Sequence, residues 1–328
     1  MSHRFLAALF TVTAVVLLVP LTAAAQSGAS STLPRTPWGD PDLQGVWTNH
    51  HGVPLERPNA LAGKAELTNQ ELAALEAEAI QNRDRAIPGQ VGSYNSFWVE
   101  RGERAFSKRP SLIVDPPDGR LPLRPDVKKI LDARVAAKRS PTYASSSWED
   151  RDAYERCITR GMPGAMIPGF YNHNYQILQT PGYVVIHVEM IHDARIIPVD
   201  GRPSLPPRLG QWMGASRGRW EGNTLVVETT NFNGKVHISQ NLAFGLAEGG
   251  RLVERFARVD ADTIDYQFTV DDPATFTRPF TVSSPMQRLK EGIFEYACHE
   301  GNHAMTNILA GAREQEEAAA EATNKGSK

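Results

Sequence analysis

Apolar and polar residues alternate in short runs over the second half of the chain, from residue 170 to residue 300. One run has an apolar residue at every second position, namely Ile264, Tyr266, Phe268 and Val270. This alternation is typical of a strand with one buried face and one face in water. About eight such runs are separated by turns such as Thr180–Gly182 and Glu221–Asn223. The pattern predicts a mainly β protein, an antiparallel meander that forms a lipocalin-like barrel or a strongly curled sheet.

Both ends of this strand series have their own predicted elements. Gly45-Val46-Trp47 marks a first strand, and lipocalin-like barrels often open with such a Gly-x-Trp tripeptide. The last apolar run, Ile293–Cys298, is predicted to be the closing strand of the sheet. A C-terminal helix is expected from Met305 to about Glu321.

Residues 51–155 show no comparable strand series and are predicted to wrap around the sheet as helical and irregular segments. Thr68–Glu71 matches the capping-box pattern, which opens a helix that runs to about Arg85. Pro125 suits the first turn of a second helix, which extends to about Lys138.

The chain as a whole divides into predicted parts. Residues 1–25 are expected to be a signal peptide, because Arg4 precedes an apolar run and small residues surround Ala25. Residues 26–41 are a predicted flexible leader, residues 42–312 one barrel-like domain, and residues 313–328 a polar tail. The protein is therefore expected to be exported, periplasmic or secreted, with no membrane insertion after signal cleavage.

Charge and cysteine usage narrow the expected partners. The net charge of −2, without a basic block, argues against nucleic acid and leaves a small-molecule ligand or substrate as the expected partner. Cys157 and Cys298 are the two cysteines, and an even pair in an oxidising compartment predicts a disulfide. A thiol nucleophile is the weaker alternative.

Residues His299 to His303 match the H-E-x-x-H pattern. On a helix, that spacing places two imidazoles on one face for zinc, with Glu300 as the base for a bound water. The motif follows a predicted strand directly, however, and Gly301 weakens a helix by about 1 kcal/mol relative to alanine. We therefore expect no cofactor, with zinc bound by His299 and His303 as the alternative. We expect instead that His299, Glu300 and Asn302 cap the last helix and bond to local backbone groups. Any chemistry at His299 or Glu300 would then occur in a cavity shared with the other candidates rather than at a zinc ion.

Acid–base chemistry has candidates within the strands. His187 and Glu189 would share one face of a strand, and inside a barrel they could transfer protons. Their alternative place is the face in water. Glu254 or its neighbour Arg255 is buried in either strand register, and a buried charge requires a partner or a function.

Ligand-binding candidates lie around the predicted barrel. Tyr171 and His173 precede the strand series and could line its mouth, while Arg195 could anchor a polar ligand group. The remaining candidates are Arg217, Trp220 and Asn302. For Arg217 the pattern favours a cross-strand ion pair with Glu228 over ligand binding.

Three motifs, GRWEGNTLVVETTNF, RVDADTIDYQFTVDDP and YACHEGN, resemble a widespread uncharacterised family of exported bacterial proteins with a lipocalin-like β region. The resemblance spans nearly the whole mature chain and implies export. It carries no activity with it. The usual form of the last motif continues with tyrosine, whereas this chain has His303.

The sequence thus predicts an exported small-molecule-binding barrel, which could also be an acid–base enzyme of the lyase, hydratase or isomerase type. One alternative is a zinc-dependent hydrolase that uses His299, Glu300 and His303. The other is an envelope scaffold without a ligand, which a barrel filled by side chains would favour.

Overall fold

A computed structural model describes residues 33–50, 52–82, 107–138, 145, 147–169, 171–238 and 244–326. Its strands are β1 (Gly45–Thr48), β2 (Ile113–Asp115), β3 (Asn174–Thr180), β4 (Tyr183–Val188), β5 (Ala194–Pro198), β6 (Ala215–Glu221), β7 (Thr224–Thr230), β8 (Arg251–Arg258), β9 (Thr263–Asp271), β10 (Phe280–Ser283) and β11 (Met286–Arg288). Its α-helices are α1 (Asn69–Asn82), α2 (Pro125–Lys138) and α3 (Ala304–Gly326). The chain from Leu33 onward forms one compact unit.

The strands form one antiparallel sheet in the order β5-β4-β3-β1-β11-β9-β8-β7-β6. β10 pairs with β9 and also with β2, which lies off this path. The two ends of the order, β5 and β6, lie side by side without backbone pairing. At this seam Ile197 and Val199 of the β5 side pack closely over Gly218. The predicted fold class is confirmed: the protein is mainly β, with a nearly closed antiparallel barrel and a C-terminal helix.

Alternation and turn chemistry explain why these residues form strands. In β9 the four apolar residues predicted to face inward are buried, and the residues between them are more exposed. The β3–β4 turn places Gly182 at φ +84° and the β6–β7 turn places Gly222 at φ +61°. These values lie in the left-handed region, where a side chain is strained, so glycine allows both hairpins to close tightly.

Side chains fill the interior of the barrel. A side chain without accessible surface borders no space large enough for a water molecule. Nearly every strand contributes such an inward-facing residue: Trp47, Tyr175, Val188, Ile197, Leu225, Phe256, Tyr266, Phe280 and Met286. The expected ligand cavity is therefore absent around these positions.

Trp47 occupies the predicted position on β1 and is fully buried. Its indole nitrogen donates a hydrogen bond to the Leu43 carbonyl at 2.9 Å. The guanidinium groups of Arg258 and Arg288 lie 5.6 and 5.1 Å from its ring centroid. Trp47 therefore packs in the apolar core and also lies beside the positive charges of two arginine side chains.

The predicted closing strand at Ile293–Cys298 is wrong. This segment forms no strand, and Phe294 is 73% exposed. β11 instead joins the two parts of the sheet, because it pairs with β1 on one side and with β9 on the other. Since β1 already lies between β3 and β11, no edge beside it is left for a further strand.

The helices follow the prediction closely. Thr68 and Glu71 form the predicted capping box, with hydrogen bonds of 2.9 and 3.2 Å between backbone and side chains. α2 has the predicted bounds, and α3 is longer than predicted. No described helix is long and apolar enough to span a membrane. The predicted signal peptide lies outside the described residues, whereas residues 33–41 of the leader form a turn closed by a bridge between Arg35 and Pro41.

Candidate functional site

A cleft of about 980 Å³, which we call the α2 cleft, lies between α2 and the loops that face it. One side is formed by six residues of α2, namely Lys128, Leu131, Asp132, Arg134, Val135 and Ala137. The other side comes from loops that contain Glu56, Leu121 and Arg151, together with the residues that follow β7. The lining residues belong to none of the described strands, so the cleft is separate from the barrel interior.

Apolar side chains form the floor of the α2 cleft. Leu131 and Val135 are four residues apart on α2 and therefore point to the same side. Leu121, Leu123 and Ile238 pack against the barrel core and face the cleft from the loops. Of the α2 side chains whose burial is described, none is fully buried. The apolar side of α2 thus remains partly uncovered and can contact a ligand.

Charged groups of both signs surround this floor. Lys128 and Asp132 form an ion pair at 2.6 Å. His237 is exposed towards the cleft, and partial desolvation lowers the pKa of its imidazole, with a further contribution from the positive charge of Arg134. His237 is therefore neutral near pH 7 and has Arg134 as a neighbour.

The candidate residues from the sequence do not include this cleft. A signal was present, because Val127, Leu131 and Val135 recur at four-residue spacing along a correctly predicted helix. Such a stripe normally faces a core. Whether this stripe faces the core or an open cleft depends on where the loops around residues 121 and 237 lie. The local sequence pattern does not predict the position of these loops.

Arg195 and Glu254, two predicted site residues, meet inside the barrel. Arg195 Nη1 donates to Glu254 Oε1 at 2.9 Å, and its Nη2 bonds to the other carboxylate oxygen. The hydroxyl of Tyr266 also donates to Glu254, at 3.0 Å. Leu252, Glu254 and Phe256 face inward together, which decides the register that the sequence left open.

The pKa values of this interior group follow from its burial. Burial opposes the charged form of Arg195, but the carboxylate of Glu254 outweighs it and the pKa of the guanidinium is raised. Burial also raises the pKa of Tyr266, and the negative charge of Glu254 adds to this effect. The carboxylate is thus fully engaged by donors, which indicates a structural ion pair rather than a free base.

His187 and Glu189 do not form the predicted acid–base pair. β4 ends at Val188, and Glu189 has helical backbone angles, so the two residues do not share a strand face. Glu189 is 1% exposed, whereas His187 is only half-buried. The Glu189 carboxylate accepts hydrogen bonds from Asn172 at 3.0 Å, Asn174 at 2.6 Å and the backbone nitrogen of Phe294 at 3.1 Å. It therefore holds the C-terminal segment against this end of the barrel.

Tyr171 and His173 lie at the same end of the barrel. Both ring nitrogens of His173 are within 3.2 Å of Arg160 Nη1, and both side chains are buried. The Tyr171 hydroxyl lies 3.4 Å from that of Tyr154, whose pKa burial raises to about 12. Tyr171 and His173 thus lie near Glu189 in the fold. The Arg195–Glu254 pair does not belong to this group of residues.

The disulfide between Cys157 and Cys298 is confirmed and ties the C-terminal segment to the same end of the barrel. Non-glycine residues with positive φ concentrate here, namely Cys157, Asn172, Ile191 and His192. Each such residue costs on the order of 1–3 kcal/mol and persists only where its surroundings hold it in place. The disulfide and the hydrogen bonds of Glu189 join the segments that carry these residues.

Arg217 and Trp220 lie on β6 and join neither group. Arg217 donates to the Pro203 carbonyl at 2.9 Å rather than to Glu228, so the predicted ion pair is wrong. Glu228 is bound through both oxygens by Arg251, at 2.9 and 3.0 Å, because β7 lies between two strands that both carry arginine. Trp220 is half-buried against the core.

The H-E-x-x-H residues do not lie on a helix. α3 begins at Ala304, and Gly301 has φ +66°, so His299 and His303 lack the helical spacing that a zinc site of this kind needs. Asn302 instead accepts a hydrogen bond from the Ala304 nitrogen at 3.0 Å and donates to the Cys298 carbonyl. Glu300 is exposed. Among the described residues, no three His, Cys, Asp or Glu side chains are placed together to hold a metal ion.

Comparison with known proteins adds no assignment. No protein-family model matches the chain, and no curated protein sequence matches it. The resemblance to a family of exported bacterial proteins stays a prediction, and the function must be inferred from the geometry of this chain.

Proposed function

We propose that this exported protein binds a small, partly apolar molecule in the α2 cleft. The observation that carries the proposal is a cleft of about 980 Å³ with an apolar floor and a charged rim. Small-molecule sites usually have volumes of about 300–1,000 Å³ and this kind of lining. Because side chains fill the barrel interior, the cleft is a better candidate for the ligand site than the barrel is.

Export is part of the proposal. A disulfide such as Cys157–Cys298 persists in an oxidising compartment, and Arg4 precedes an apolar run typical of a signal peptide. The expected partner is therefore a small molecule outside the cytoplasm, and nucleic acid is not expected.

Binding of a neutral fluorescent probe tests the proposal. N-phenyl-1-naphthylamine becomes bright in apolar surroundings, and we expect a saturable rise in its fluorescence with the purified protein. Val135→Trp places a larger side chain on the apolar floor of the cleft and should weaken this binding by about tenfold or more, which corresponds to about 1.4 kcal/mol.

Ile130→Trp is the matched control, because Ile130 lies on the same helix, is 53% exposed and does not line the cleft. This variant should bind the probe as the parent protein does, and circular dichroism should show both variants folded. The proposal fails if the parent shows no saturable binding or if the two variants bind equally well. A failure would favour the envelope scaffold, which the filled barrel also supports.

A further inference from the structure

The cationic groups of the α2 cleft differ in whether the protein already neutralises them. Lys128 has Asp132 as its partner at 2.6 Å, and Arg151 has Glu155 at 2.7 Å. These two cations therefore carry little unmatched charge towards a ligand. Arg120 hydrogen-bonds to the side-chain oxygen of Asn59, a neutral group that leaves its charge uncompensated.

Arg134 and His237 have no hydrogen bond or ion pair to any described residue. Both line the cleft, one from α2 and the other from the segment after β7. They are close enough for the guanidinium to influence the imidazole. The cleft thus has two nitrogen donors that bind no carboxylate among the residues the structure describes.

The acidic groups of the rim are mostly engaged. Glu56 accepts a hydrogen bond from the Leu121 nitrogen at 2.9 Å, and Asp150 accepts one from Ser147 at 3.0 Å. Asp152 accepts one from the Glu155 nitrogen at 2.8 Å. Carboxylates that bind backbone donors in this way stabilise turns. Glu149 also lines the cleft and is exposed, so the open polar groups among the described residues are Arg120, Arg134, His237 and this one carboxylate.

Apolar and nitrogen-bearing side chains lie next to each other on both sides of the cleft. Arg134 lies three residues after Leu131 and directly before Val135, and the three residues lie on the cleft side of α2. On the opposite side, His237 lies next to Ile238. A molecule with an apolar body and one charged end could contact both kinds of group at once.

We infer that the α2 cleft takes an organic anion, with its carboxylate or sulfonate against Arg134 and His237 and its apolar part over Leu131 and Val135. This inference rests on the proposed function and names its ligand class. A guanidinium binds such oxyanions with two parallel hydrogen bonds, and its geometry suits planar carboxylates especially well.

Two probes with the same ring system separate the charge from the apolar contact. 8-Anilinonaphthalene-1-sulfonate is N-phenyl-1-naphthylamine with an added sulfonate. We expect the sulfonate to bind the parent protein about tenfold more tightly than the neutral probe. Arg134→Gln should remove most of this preference, measured as the ratio of the two affinities.

Lys129→Gln is the matched control, since it removes the same charge from an α2 position that does not line the cleft. It should keep the preference for the sulfonate. The inference is overturned if the neutral probe binds as tightly as the sulfonate, or if Arg134→Gln and Lys129→Gln behave alike. Either result, with neutral-probe binding still blocked by Val135→Trp, would leave the proposed function standing. If the parent protein binds neither probe, the proposed function itself is wrong.

Discussion

The barrel interior and the α2 cleft both combine apolar side chains with arginine, but they neutralise the charge differently. In the interior, Arg195 is held by Glu254, which also accepts a hydrogen bond from Tyr266. In the cleft, Arg134 has no such partner among the described residues, and the nearby leucine and valine are only half-buried. The comparison separates a buried charge that the protein matches with a carboxylate from an open charge that is available for binding.

The largest expected effect is on the interior ion pair. Glu254→Gln leaves the charge of Arg195 buried without compensation, so the free energy of unfolding should fall by about 3–5 kcal/mol in urea denaturation. Glu221→Gln is the control, because Glu221 pairs with Arg219 and Arg255 on the surface, where water screens the charges. Stability close to that of the parent is expected for this control. Equal losses in the two variants would contradict a structural role for the interior pair.

A matched leucine truncation compares the packing of the two regions. Leu225→Ala removes a fully buried side chain from the barrel and should cost about 2–5 kcal/mol of unfolding free energy. Leu131→Ala removes a half-exposed side chain from the cleft and should cost less than about 1 kcal/mol. Probe binding should change in the opposite order, with Leu131→Ala the weaker binder of N-phenyl-1-naphthylamine. A similar stability loss for both would mean that α2 is packed as tightly as the barrel.

The smallest expected effect is a pH dependence of anion binding. Desolvation, with a further contribution from Arg134, places the pKa of His237 below its usual value of about 6.5. As pH falls through that lowered pKa, His237 gains a proton while the sulfonate stays ionised, so affinity for the sulfonate probe should rise a few-fold. The other charged groups lining the cleft are Glu56, Arg120, Lys128, Asp132, Arg134, Glu149, Asp150, Arg151 and Asp152.

Titrations of both probes between about pH 7.5 and pH 5 measure this effect. His237→Gln should make the sulfonate affinity nearly independent of pH in this range, and the neutral probe should show little change. The contribution of His237 to folding has the opposite sign to its effect on binding. Its lowered pKa adds stability above the unfolded pKa, and this is lost as pH falls through the folded value. A pH response that persists in His237→Gln would assign the effect to another group.

Elements with a strong local pattern were predicted well. The capping box of Thr68 and Glu71 begins α1, and Pro125 begins α2, as the residues themselves indicate. The hairpin turns at Gly182 and Gly222 were also predictable, because a positive φ strongly favours glycine. The predicted strand at Ile293–Cys298 is wrong because this segment forms no backbone hydrogen bonds to any described strand. It is attached to the barrel end by the disulfide of Cys298 and by the hydrogen bond from the Phe294 nitrogen to Glu189.

The site residues were harder to predict than the elements. Glu254 was singled out because a buried charge needs a partner, and the structure supplies Arg195 as that partner. His187 and Glu189 were paired on the assumption of a continuous strand, which ends one residue too early. The sequence did not predict the α2 cleft, because the cleft depends on how the segments of residues 51–155 pack against the barrel.

The sequence by itself determined the period-two burial of the strands, their turns, the first two helices and the pairing of two cysteines. These features depend on neighbouring residues or, for the cysteines, on the absence of any other partner. Only the tertiary structure decided which charges are matched and which face open space. Arg195 and Glu254 are 59 residues apart, and Glu189 and Phe294 are 105 apart. Such contacts form only when the sheet closes, because no local preference brings those side chains together.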